Sequence, residues 1–462
     1  MAQNRRFCIY WDIECGKPGD CLKYLEITGG MPLSGTVRIQ GSKNAVLPIL
    51  TACLLGDGGC IIENCPAIGD VKDLLTILRS LGCSAVRQGN TVKIDGETIK
   101  KYEVRGTEAA RIRSSVLFLG ALLGKMGKVL LPMPGGCAIG ARPIDLHLQA
   151  MQQMGAHCSI GGDAAEAAGQ SCTAEQAQWV RLEAERLHGA VINFAFPSVG
   201  ATENAVLAAV MAQGETLIRN AAQEPEIDEL CAFLNLRGAK ITRLQSGDIQ
   251  IQGVDRLLPV TYQMCPDRIV AGTYLLAATA TRGEIQMPNC PWEELQALWT
   301  VLEQMGAYVE RSGSMVRLCA DRVRMPIPYI ETAPYPGFPT DLQSQLMAVL
   351  CRIPGESCIC ERLFENRFAT AKELGKMGAE IQISGCCARI KGTDFWHQAV
   401  LEAPDLRGGA ALVIGALQAE GCTQIRQVEY IERGYEDITR DLQQLGAHIH
   451  LMCTQTHQEE NR

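Results

Sequence analysis

The stretch PGGCAIGARP, residues 134–143, contains residues that could do chemistry. Cys137 lies among glycines and prolines, which mark exposed, non-helical backbone, and Arg142 follows five residues later. Exposure, a nearby guanidinium and a helix start beyond the loop would all favour the thiolate form of a cysteine. The nearest histidine, His147, is on the following helix, so a Cys–His protease pair has little support. Cys137 is therefore a candidate reactive thiol, and a purely structural cysteine is the alternative.

The remaining cysteines have no obvious chemistry. The chain has 21 of them, and no two are spaced as Cys-x-x-Cys. Cys358 and Cys360 form a Cys-x-Cys pair and Cys386 and Cys387 are adjacent, but neither pair has a partner pair at zinc-site spacing, so no metal site is predicted. We expect no signal peptide from the first residues, which lack an apolar run behind Arg5 and Arg6, and the longest apolar run is too short to span a bilayer. We therefore expect a cytoplasmic protein, not bound to membranes, with reduced thiols.

Charged and polar residues mark the starts of apolar segments along the chain. A helix N-terminus leaves N–H groups unpaired and carries partial positive charge, so a basic residue there is unfavourable unless an anion is also bound. The residues at these starts are Lys43, Asn44, Arg113, Arg142, Asp145, Ser198, Arg268, Asp341, Arg367, Asp405, Arg407 and Arg433. Several arginines at equivalent positions predict a shared anion-binding cleft. Asp341, after a Phe-Pro-Thr turn, is either an N-cap or a base.

The composition is that of a globular chain. Hydrophobic residues make up 47% and charged residues 20% of its 462 residues. The net charge is −8, and a mildly acidic total argues against nucleic acid as a partner. It still allows a local basic pocket.

The elements that position these residues repeat six times. Each copy closes on an apolar residue or Arg, then Gly, then Ala or Cys, starting at residues 81, 154, 237, 305, 377 and 445. Each closing triplet follows an amphipathic run such as VKDLLTILRSLG, which predicts a left-handed glycine at the helix C′ position. A strand such as AKITRL follows. An earlier helix in each copy is apolar almost all round and is therefore expected to be buried.

Six units group naturally as three plus three. This grouping predicts an α/β fold of two similar domains, each with helices inside and sheets outside. The stretch GGDAAEAAGQSCTAEQAQ, residues 161–178, reads as a surface insertion. Residues 1–21 and 454–462 fall outside the repeats and are expected to form an N-terminal extension and a C-terminal tail.

Seven segments of this sequence together resemble one family. They are GSKNAVLPIL, PGGCAIGARPIDLH, PSVGATEN, ETAPYPGFPTDLQ, LFENRF, DLRGGAALV and IERGYED. In this order they are similar to the UDP-N-acetylglucosamine 1-carboxyvinyltransferases, a branch of the enolpyruvyl transferase family. The resemblance implies two inside-out α/β-prism domains, one of residues 22–42 plus 266–453 and one of residues 43–265.

The reaction implied by the resemblance is a transfer of the enolpyruvyl group of phosphoenolpyruvate to the 3-hydroxyl of UDP-N-acetylglucosamine, with release of phosphate. It would be the first committed step of peptidoglycan synthesis. The implied phosphoenolpyruvate ligands are Lys43, Asn44, Arg142, Arg407 and Arg433. By the same resemblance Cys137 is the general acid, Asp341 takes the proton of the sugar hydroxyl, and Lys43 and Arg433 stabilise the developing charge.

The sugar nucleotide needs a larger surface, and the resemblance again names its residues. The implied contacts are Asn44, Arg113, Arg142, Pro143, Ile144, Asp145, Leu146, Ser198, Val199, Gly200, Asp341 and Leu363. Backbone N–H groups at the start of the PSVG helix would hold the diphosphate. The reaction implies no metal or organic cofactor.

Two alternatives stand beside this transferase hypothesis. The shikimate-pathway enolpyruvyl transferase has the same fold, but the Cys137 loop and PSVGATEN speak against it. A catalytically silent relative that only binds sugar nucleotides is the other. Loss of Lys43, Cys137, Asp341 or Arg433 would have favoured that reading, and all four are present.

Overall fold

The computed structural model describes residues 21–135, 139–161 and 178–455. Cys137, the N-terminal extension up to residue 20 and most of the predicted insertion lie outside the described residues. The strands are β1 Cys21–Thr28, β2 Ser34–Thr36, β3 Gly59–Glu63, β4 Ser84–Gln88, β5 Thr91–Asp95, β6 Lys128–Pro132, β7 His157–Ile160, β8 Trp179–Glu183, β9 Val191–Asn193, β10 Glu215–Arg219, β11 Lys240–Arg243, β12 Ile249–Gln252, β13 Thr261–Gln263, β14 Glu284–Met287, β15 Tyr308–Ser312, β16 Met315–Cys319, β17 Ile330–Glu331, β18 Glu356–Cys360, β19 Glu380–Ser384, β20 Cys387–Lys391, β21 Val400–Glu402, β22 Cys422–Arg426 and β23 His448–Gln455.

The α-helices of the described residues alternate with these strands. They are α1 Lys43–Ala52, α2 Gly69–Ser80, α3 Thr107–Arg111, α4 Phe118–Met126, α5 Asp145–Gln153, α6 Val199–Ala209, α7 Pro225–Leu236, α8 Arg268–Ala280, α9 Gln296–Met305, α10 Gln343–Leu350, α11 Ala369–Gly375, α12 Leu406–Leu417, α13 Glu429–Glu432 and α14 Ile438–Gln444. Short 3-10 turns at Arg113–Leu117, Trp292–Leu295 and Thr340–Leu342 precede α4, α9 and α10.

The predicted repeat is confirmed at the sheets. Five four-stranded sheets have one arrangement, in which a parallel edge strand is followed by three antiparallel strands. In the last of them β1 lies between β22 and β23, so the beginning of the described chain completes the sixth repeat. The pairing of β1 with β23 includes Cys21, Thr454 and Gln455, so the strands extend slightly beyond the limits expected from the sequence.

The predicted helix ends are also confirmed. The glycine in each closing triplet has a positive φ, between 85° and 103°, which an L-amino acid with a Cβ adopts only with strain. These glycines are Gly82, Gly155, Gly238, Gly306, Gly378 and Gly446. The strand predicted at AKITRL forms as β11.

The helices predicted to be buried lie inside, and the sheets lie outside. In one half of the molecule α4 packs on α6, and α1 contacts both α4 and the 3-10 turn before it; in the other, α8, α10 and α12 pack on one another. Every residue of α12 is buried. Each buried Val, Leu or Ile stabilises the fold by about 1.5–3 kcal/mol. Small residues allow the close approach, since a Cβ on Gly120 would clash with the Asn204 carbonyl oxygen of α6.

The described residues form two separate hydrophobic cores. One contains buried residues between 45 and 264, and the other joins residues 25–39 to residues 269–449. The chain passes between them twice, side by side, where Ser42 N donates to Cys265 O at 2.8 Å and Asp267 N to Gln40 O at 2.9 Å. We propose that each core belongs to one domain, with these two adjacent segments connecting the domains. None of the described helices is long and apolar enough to cross a bilayer.

The expectation that the cysteines are reduced is wrong for one pair. Cys360 and Cys387 form a disulfide instead of remaining reduced. The Cys-x-Cys and Cys-Cys pairs are also each other's partners in space, because β18 and β20 are adjacent antiparallel strands and place Cys360 opposite Cys387. Sequence spacing could not show this, since 27 residues separate the two.

Candidate active site

The first turns of the inner helices from both cores meet at one place. Lys43 and Asn44 begin α1 of one core, while Asp341 precedes α10 and Arg407 lies in the first turn of α12 of the other. Asn44 Nδ2 donates to Asp341 Oδ2 across the boundary at 3.4 Å. Side-chain caps at Ser42, Asp267 and Asp405 hold the first turns of α1, α8 and α12. At Asp405, Oδ1 accepts from Arg407 N and Gly408 N.

Asp341 is not a helix cap, because two arginines hold its carboxylate. Arg367 Nη2 donates to Oδ1 at 2.8 Å and Arg407 Nη2 donates to Oδ2 at 2.7 Å. Burial alone would raise the pKa of this carboxyl, but the charges of Arg407, Arg367 and Lys43 outweigh it and hold the pKa far below its usual range. Asp341 is therefore ionised, and it keeps 24% of its side-chain surface exposed toward the cleft.

Both arginines beside Asp341 also carry an unused donor. Arg367 Nε and Arg407 Nη1 are buried and have no hydrogen-bond partner among the described residues. A buried donor without a partner is costly, and a guanidinium satisfies it best with a carboxylate or phosphate oxygen. This arrangement supports the predicted anion-binding cleft.

A second carboxylate, which sequence reasoning missed, organises two of the predicted cations. Asp70, in the first turn of α2, accepts from Lys43 Nζ at 3.0 Å and from Arg433 Nε at 2.7 Å. Burial would raise the pKa of Asp70, but the charges of Lys43 and Arg433 outweigh it and lower the pKa below its usual value. Asp70 thus ties Lys43 of one core to Arg433 of the other. In the sequence it looks like an ordinary first-turn acid.

Asp70→Asn tests this cross-core ion pair through its pH dependence. The folded pKa of Asp70 lies below the unfolded value of about 3.9, so its contribution to stability is present above about pH 4 and is lost as pH falls toward the folded pKa. The variant should be less stable at pH 7 by about 3 kcal/mol, the cost of removing one partner of a buried pair. Urea unfolding should show that the free energy of unfolding falls less between pH 7 and pH 3 in the variant than in the wild type. An equal fall in both proteins would contradict this role of Asp70. Asp255→Asn, at an exposed position, serves as the control.

The Cys137 loop is anchored at both ends by Arg113. Its Nη1 donates to Pro134 O at 3.3 Å, and its Nη2 donates to the carbonyls of Arg142 and Pro143. Burial lowers the pKa of Arg113 to about 10, with Arg142 contributing. The predicted contact of Arg113 with the sugar nucleotide stays a prediction. In the structure its hydrogen bonds connect the two ends of the loop.

A cavity of about 530 Å³ opens beside this loop. It is lined by residues from both sides of the loop and from the start of α5, including Arg113, Pro134, Arg142, Pro143, Ile144 and Asp145. Arg142 also lies over the ring of Phe364 from the opposite core, 5.6 Å from its centroid, and Arg367 lies 5.4 Å from the same centroid. A cavity of this size is in the range that holds a small ligand.

The far side of the loop is docked on the opposite core. Asn366 N donates to Ile139 O at 2.9 Å. Gly140, with φ +147°, lies against Glu365 so closely that a Cβ would come within 3.1 Å of the Glu365 backbone nitrogen. Ile139 and Gly140, on the far side of Cys137, therefore contact the opposite core, and the lack of a side chain on Gly140 allows this close approach.

Gly140→Ala should disturb this contact. An alanine at this φ costs about 1–3 kcal/mol, and 1.4 kcal/mol of lost docking corresponds to a tenfold effect. We expect the activity proposed below to fall about tenfold in kcat/KM, measured by phosphate release. Gly238→Ala is the matched control, because its φ is also positive but nothing lies within 4 Å of its Cβ. Equal activity in both variants would show that docking at Gly140 is unimportant.

Ser198, Val199 and Gly200 open α6 as predicted. Ser198 caps the helix by accepting from Ala201 N at 3.4 Å. Behind this turn His147 lies against Gly200, and its Nδ1 is 2.7 Å from Asn204 Nδ2. Burial lowers the pKa of His147 to about 3, so the ring is neutral and accepts from the Asn204 amide. His147 is a support for the α6 turn and not part of a Cys–His pair among the described groups.

Leu363 is positioned by Glu361, another residue that sequence reasoning missed. Glu361 Oε1 accepts from Thr332 Oγ1 and from the backbone nitrogens of Leu363 and Phe364, and Oε2 accepts from Thr340 Oγ1. The carboxylate thus joins the turn that carries Leu363 to the residue before Asp341. Nothing in the local sequence distinguishes this buried glutamate from a surface one.

The structure thus brings together most of the predicted residues. Within the described residues the cleft contains Lys43, Asn44, Asp341, Arg407 and Arg433, and the cavity beside it contains Arg113 and Arg142 to Asp145. Leu146 follows in the first turn of α5. Cys137 lies outside the described residues, although both ends of its loop reach this cleft.

Comparison with known proteins shows that this chain is similar to 1-carboxyvinyltransferases. A family model described as EPSP synthase (3-phosphoshikimate 1-carboxyvinyltransferase) matches residues 27–442. UDP-N-acetylglucosamine 1-carboxyvinyltransferase 2 of Caldanaerobacter subterraneus subsp. tengcongensis is 41% identical over 424 residues, covering 92% of this chain and 98% of that protein. UDP-N-acetylglucosamine 1-carboxyvinyltransferase of Nitratidesulfovibrio vulgaris is 41% identical over 428 residues, with the same coverage.

Solved structures agree in fold. The enolpyruvyl transferase NikO from Streptomyces tendae superimposes with a TM-score of 0.80 at 26% identity, covering 95% of this chain and 100% of that one. EPSP synthase from Acinetobacter baumannii superimposes with a TM-score of 0.69 at 17% identity, covering 93% and 100%, and so shows the fold alone. The predicted fold of two inside-out α/β domains is confirmed.

Proposed function

The chain belongs to the UDP-N-acetylglucosamine 1-carboxyvinyltransferase family of enolpyruvyl transferases, and from that premise we propose its reaction. It transfers the enolpyruvyl group of phosphoenolpyruvate to the 3-hydroxyl of UDP-N-acetylglucosamine and releases phosphate. The observation that carries the proposal is Asp341, an ionised carboxylate between Arg367 and Arg407 that touches Asn44 across the cleft. In a cell that builds peptidoglycan this would be its first committed step, carried out in the cytoplasm.

Phosphoenolpyruvate carries a carboxylate and a phosphate and needs several cations. The two cores together supply three of these cations. Asp70 fixes Lys43 and Arg433, and Asp341 fixes Arg407. Arg142 adds a fourth at the cavity. Because Lys43, Arg407 and Arg433 are already paired with carboxylates, they are oriented before the substrate arrives and need little reorganisation during the reaction.

The chemistry proceeds by addition and elimination. Cys137 gives a proton to the methylene carbon of phosphoenolpyruvate, which leaves positive charge at the carbon that bears the phosphate. The 3-hydroxyl of the sugar attacks that carbon as Asp341 takes the hydroxyl proton. The Cys137 thiolate then takes back one methyl proton as phosphate leaves, which restores the double bond. The cations stabilise the departing phosphate, which takes up the proton held by Asp341.

Asp341 is a weak base while it is bound to both arginines. Arg407 and Arg367 hold its pKa low, so it has little tendency to take a proton. A phosphate or carboxylate that binds the unused donors of these arginines competes for their charge, and the pKa of Asp341 then rises. On this account the binding of phosphoenolpyruvate activates the base that the sugar hydroxyl needs. No metal or organic cofactor takes part in these steps.

The sugar nucleotide would occupy the cavity and the cleft beside it. Its diphosphate suits the backbone N–H groups at the start of α6, formed by Ser198, Val199 and Gly200. Leu363 would approach from the opposite core, whereas Asn44 lies on the same core as α6, at the boundary between the two. The neutral His147 keeps this helix start in place without adding charge.

A phosphate-release assay separates this proposal from the shikimate-type alternative. With phosphoenolpyruvate present, we expect release with UDP-N-acetylglucosamine and none with shikimate 3-phosphate. Release with the shikimate substrate alone would reverse the assignment of substrate. Sugar-nucleotide binding without any release would instead support the catalytically silent relative.

A further inference from the structure

Four cysteines that the proposed reaction does not use come together beside the site. Cys358 and Cys360 are alternate residues of β18, so their side chains point to one face of the sheet. Cys387 begins β20, and Cys386 precedes it in the turn. The sulfur atoms of Cys358, Cys360 and Cys387 all lie within 4.8 Å of one another, and Cys386 Sγ is 4.0 Å from Cys387 Sγ.

Two of these cysteines are joined and two are free. Cys360 and Cys387 form the disulfide, whereas Cys358 and Cys386 are thiols. Cys386 is exposed, and Arg362 Nη1 lies 3.6 Å from its sulfur. Cys387 is half-buried and Cys360 is buried. The Cys387 end of the disulfide, next to the exposed Cys386, is therefore the end nearer to solvent.

The disulfide is adjacent to the groups that position Asp341. Glu361 follows Cys360 directly, and its backbone nitrogen donates to Cys386 O at 2.7 Å. Thr332 N donates to Cys360 O at 2.9 Å. The Glu361 carboxylate is in turn the acceptor that joins Thr332, Thr340 and Leu363. The disulfide thus links the two backbone segments that hold Glu361 from either side.

We propose that Cys360 and Cys387 form a thiol–disulfide exchange site for low-molecular-weight thiols and disulfides, whose state sets the order of the Glu361 turn. In oxidation the Cys387 thiolate attacks a small disulfide RSSR, forms a mixed disulfide and expels one RS⁻. The Cys360 thiolate then attacks the Cys387 sulfur and expels the second RS⁻. The two cysteine protons leave with the two thiolates, so one RSSR becomes two RSH. This inference goes beyond the transferase reaction and does not depend on it.

The test titrates the full-length protein in glutathione buffers of increasing oxidised fraction. After rapid alkylation, peptide mass spectrometry should show the Cys360–Cys387 link appear with one midpoint. Cys387→Ser should remove the link, and Cys358→Ser should keep both the link and its midpoint. The oxidised protein should have a Tm about 5 °C above that of the reduced protein. This difference should be absent in Cys387→Ser.

Hydrogen exchange tests the connection to the site without any activity assay. Reduction should speed exchange at the Leu363 and Phe364 amides, which donate to Glu361, while β11 stays unchanged. No link at any glutathione ratio would overturn the proposal. So would a zinc ion that binds the reduced protein, survives a glutathione challenge and is lost in Cys358→Ser, because that result would make the cluster a metal site.

Discussion

Asp341→Asn is expected to lower kcat/KM for UDP-N-acetylglucosamine by about 10³-fold, within the range of roughly 10²–10⁴-fold that general acid–base groups contribute. The amide keeps the size of the side chain, and its oxygen can still accept from one arginine. It cannot take the proton of the sugar hydroxyl, and it no longer neutralises Arg367 and Arg407. Steady-state phosphate release at saturating phosphoenolpyruvate measures the effect.

Loss of a buried charge also costs stability, so the variant needs a folding control. The variant should lose about 3 kcal/mol or more, but titration calorimetry should still detect binding of UDP-N-acetylglucosamine. Asp255→Asn, whose side chain is 97% exposed, is the matched control and should keep full activity. A folded, nucleotide-binding Asp341→Asn with wild-type turnover would show that another group is the base.

Cys137→Ser is the second large expected effect. A hydroxyl is a far weaker acid than a thiol, so protonation of phosphoenolpyruvate should slow by about 10²-fold or more. Cys319→Ser, which changes a cysteine of an outer strand, is the control and should leave turnover unchanged. Full activity in Cys137→Ser would remove the assigned role of this residue.

Selective labelling gives a second measurement of the same residue. The epoxide fosfomycin alkylates thiolates, and peptide mass spectrometry should find Cys137 labelled first among the 21 cysteines. Burial raises the pKa of several others, including Cys65 to about 11 and Cys83 to about 12, which makes them poor nucleophiles at neutral pH. Label elsewhere, with Cys137 untouched, would contradict a reactive loop thiol.

Much of the fold could be predicted from the sequence, because the patterns that indicate the helices and their ends lie within short segments. Six times the sequence places a glycine at the end of an amphipathic helix, which predicts the left-handed conformation, and all six of these glycines have positive φ. Helices rich in alanine and glycine read as buried and are buried. The insertion of β1 into the last sheet depends on pairing residues 394 to 434 positions apart, and no periodicity within one segment predicts it.

Part of the site could also be predicted, where a residue type is unusual for its local position. Arginines at helix starts stand out because they are unfavourable there without an anion. Asp70 and Glu361 do not stand out, because an acid in a first turn or after a strand is ordinary until its partners are known. The disulfide at Cys360 and Cys387 was missed because only the pairing of β18 with β20 brings the two residues together.

The most direct test of the central claim is the identity of the product. The protein is incubated with phosphoenolpyruvate and UDP-N-acetylglucosamine, and the nucleotide product is examined by mass spectrometry and NMR. We expect an enolpyruvyl ether on the 3-oxygen of the sugar, formed in a one-to-one ratio with inorganic phosphate. Unchanged UDP-N-acetylglucosamine, or an enolpyruvyl group on a different acceptor, would contradict the account.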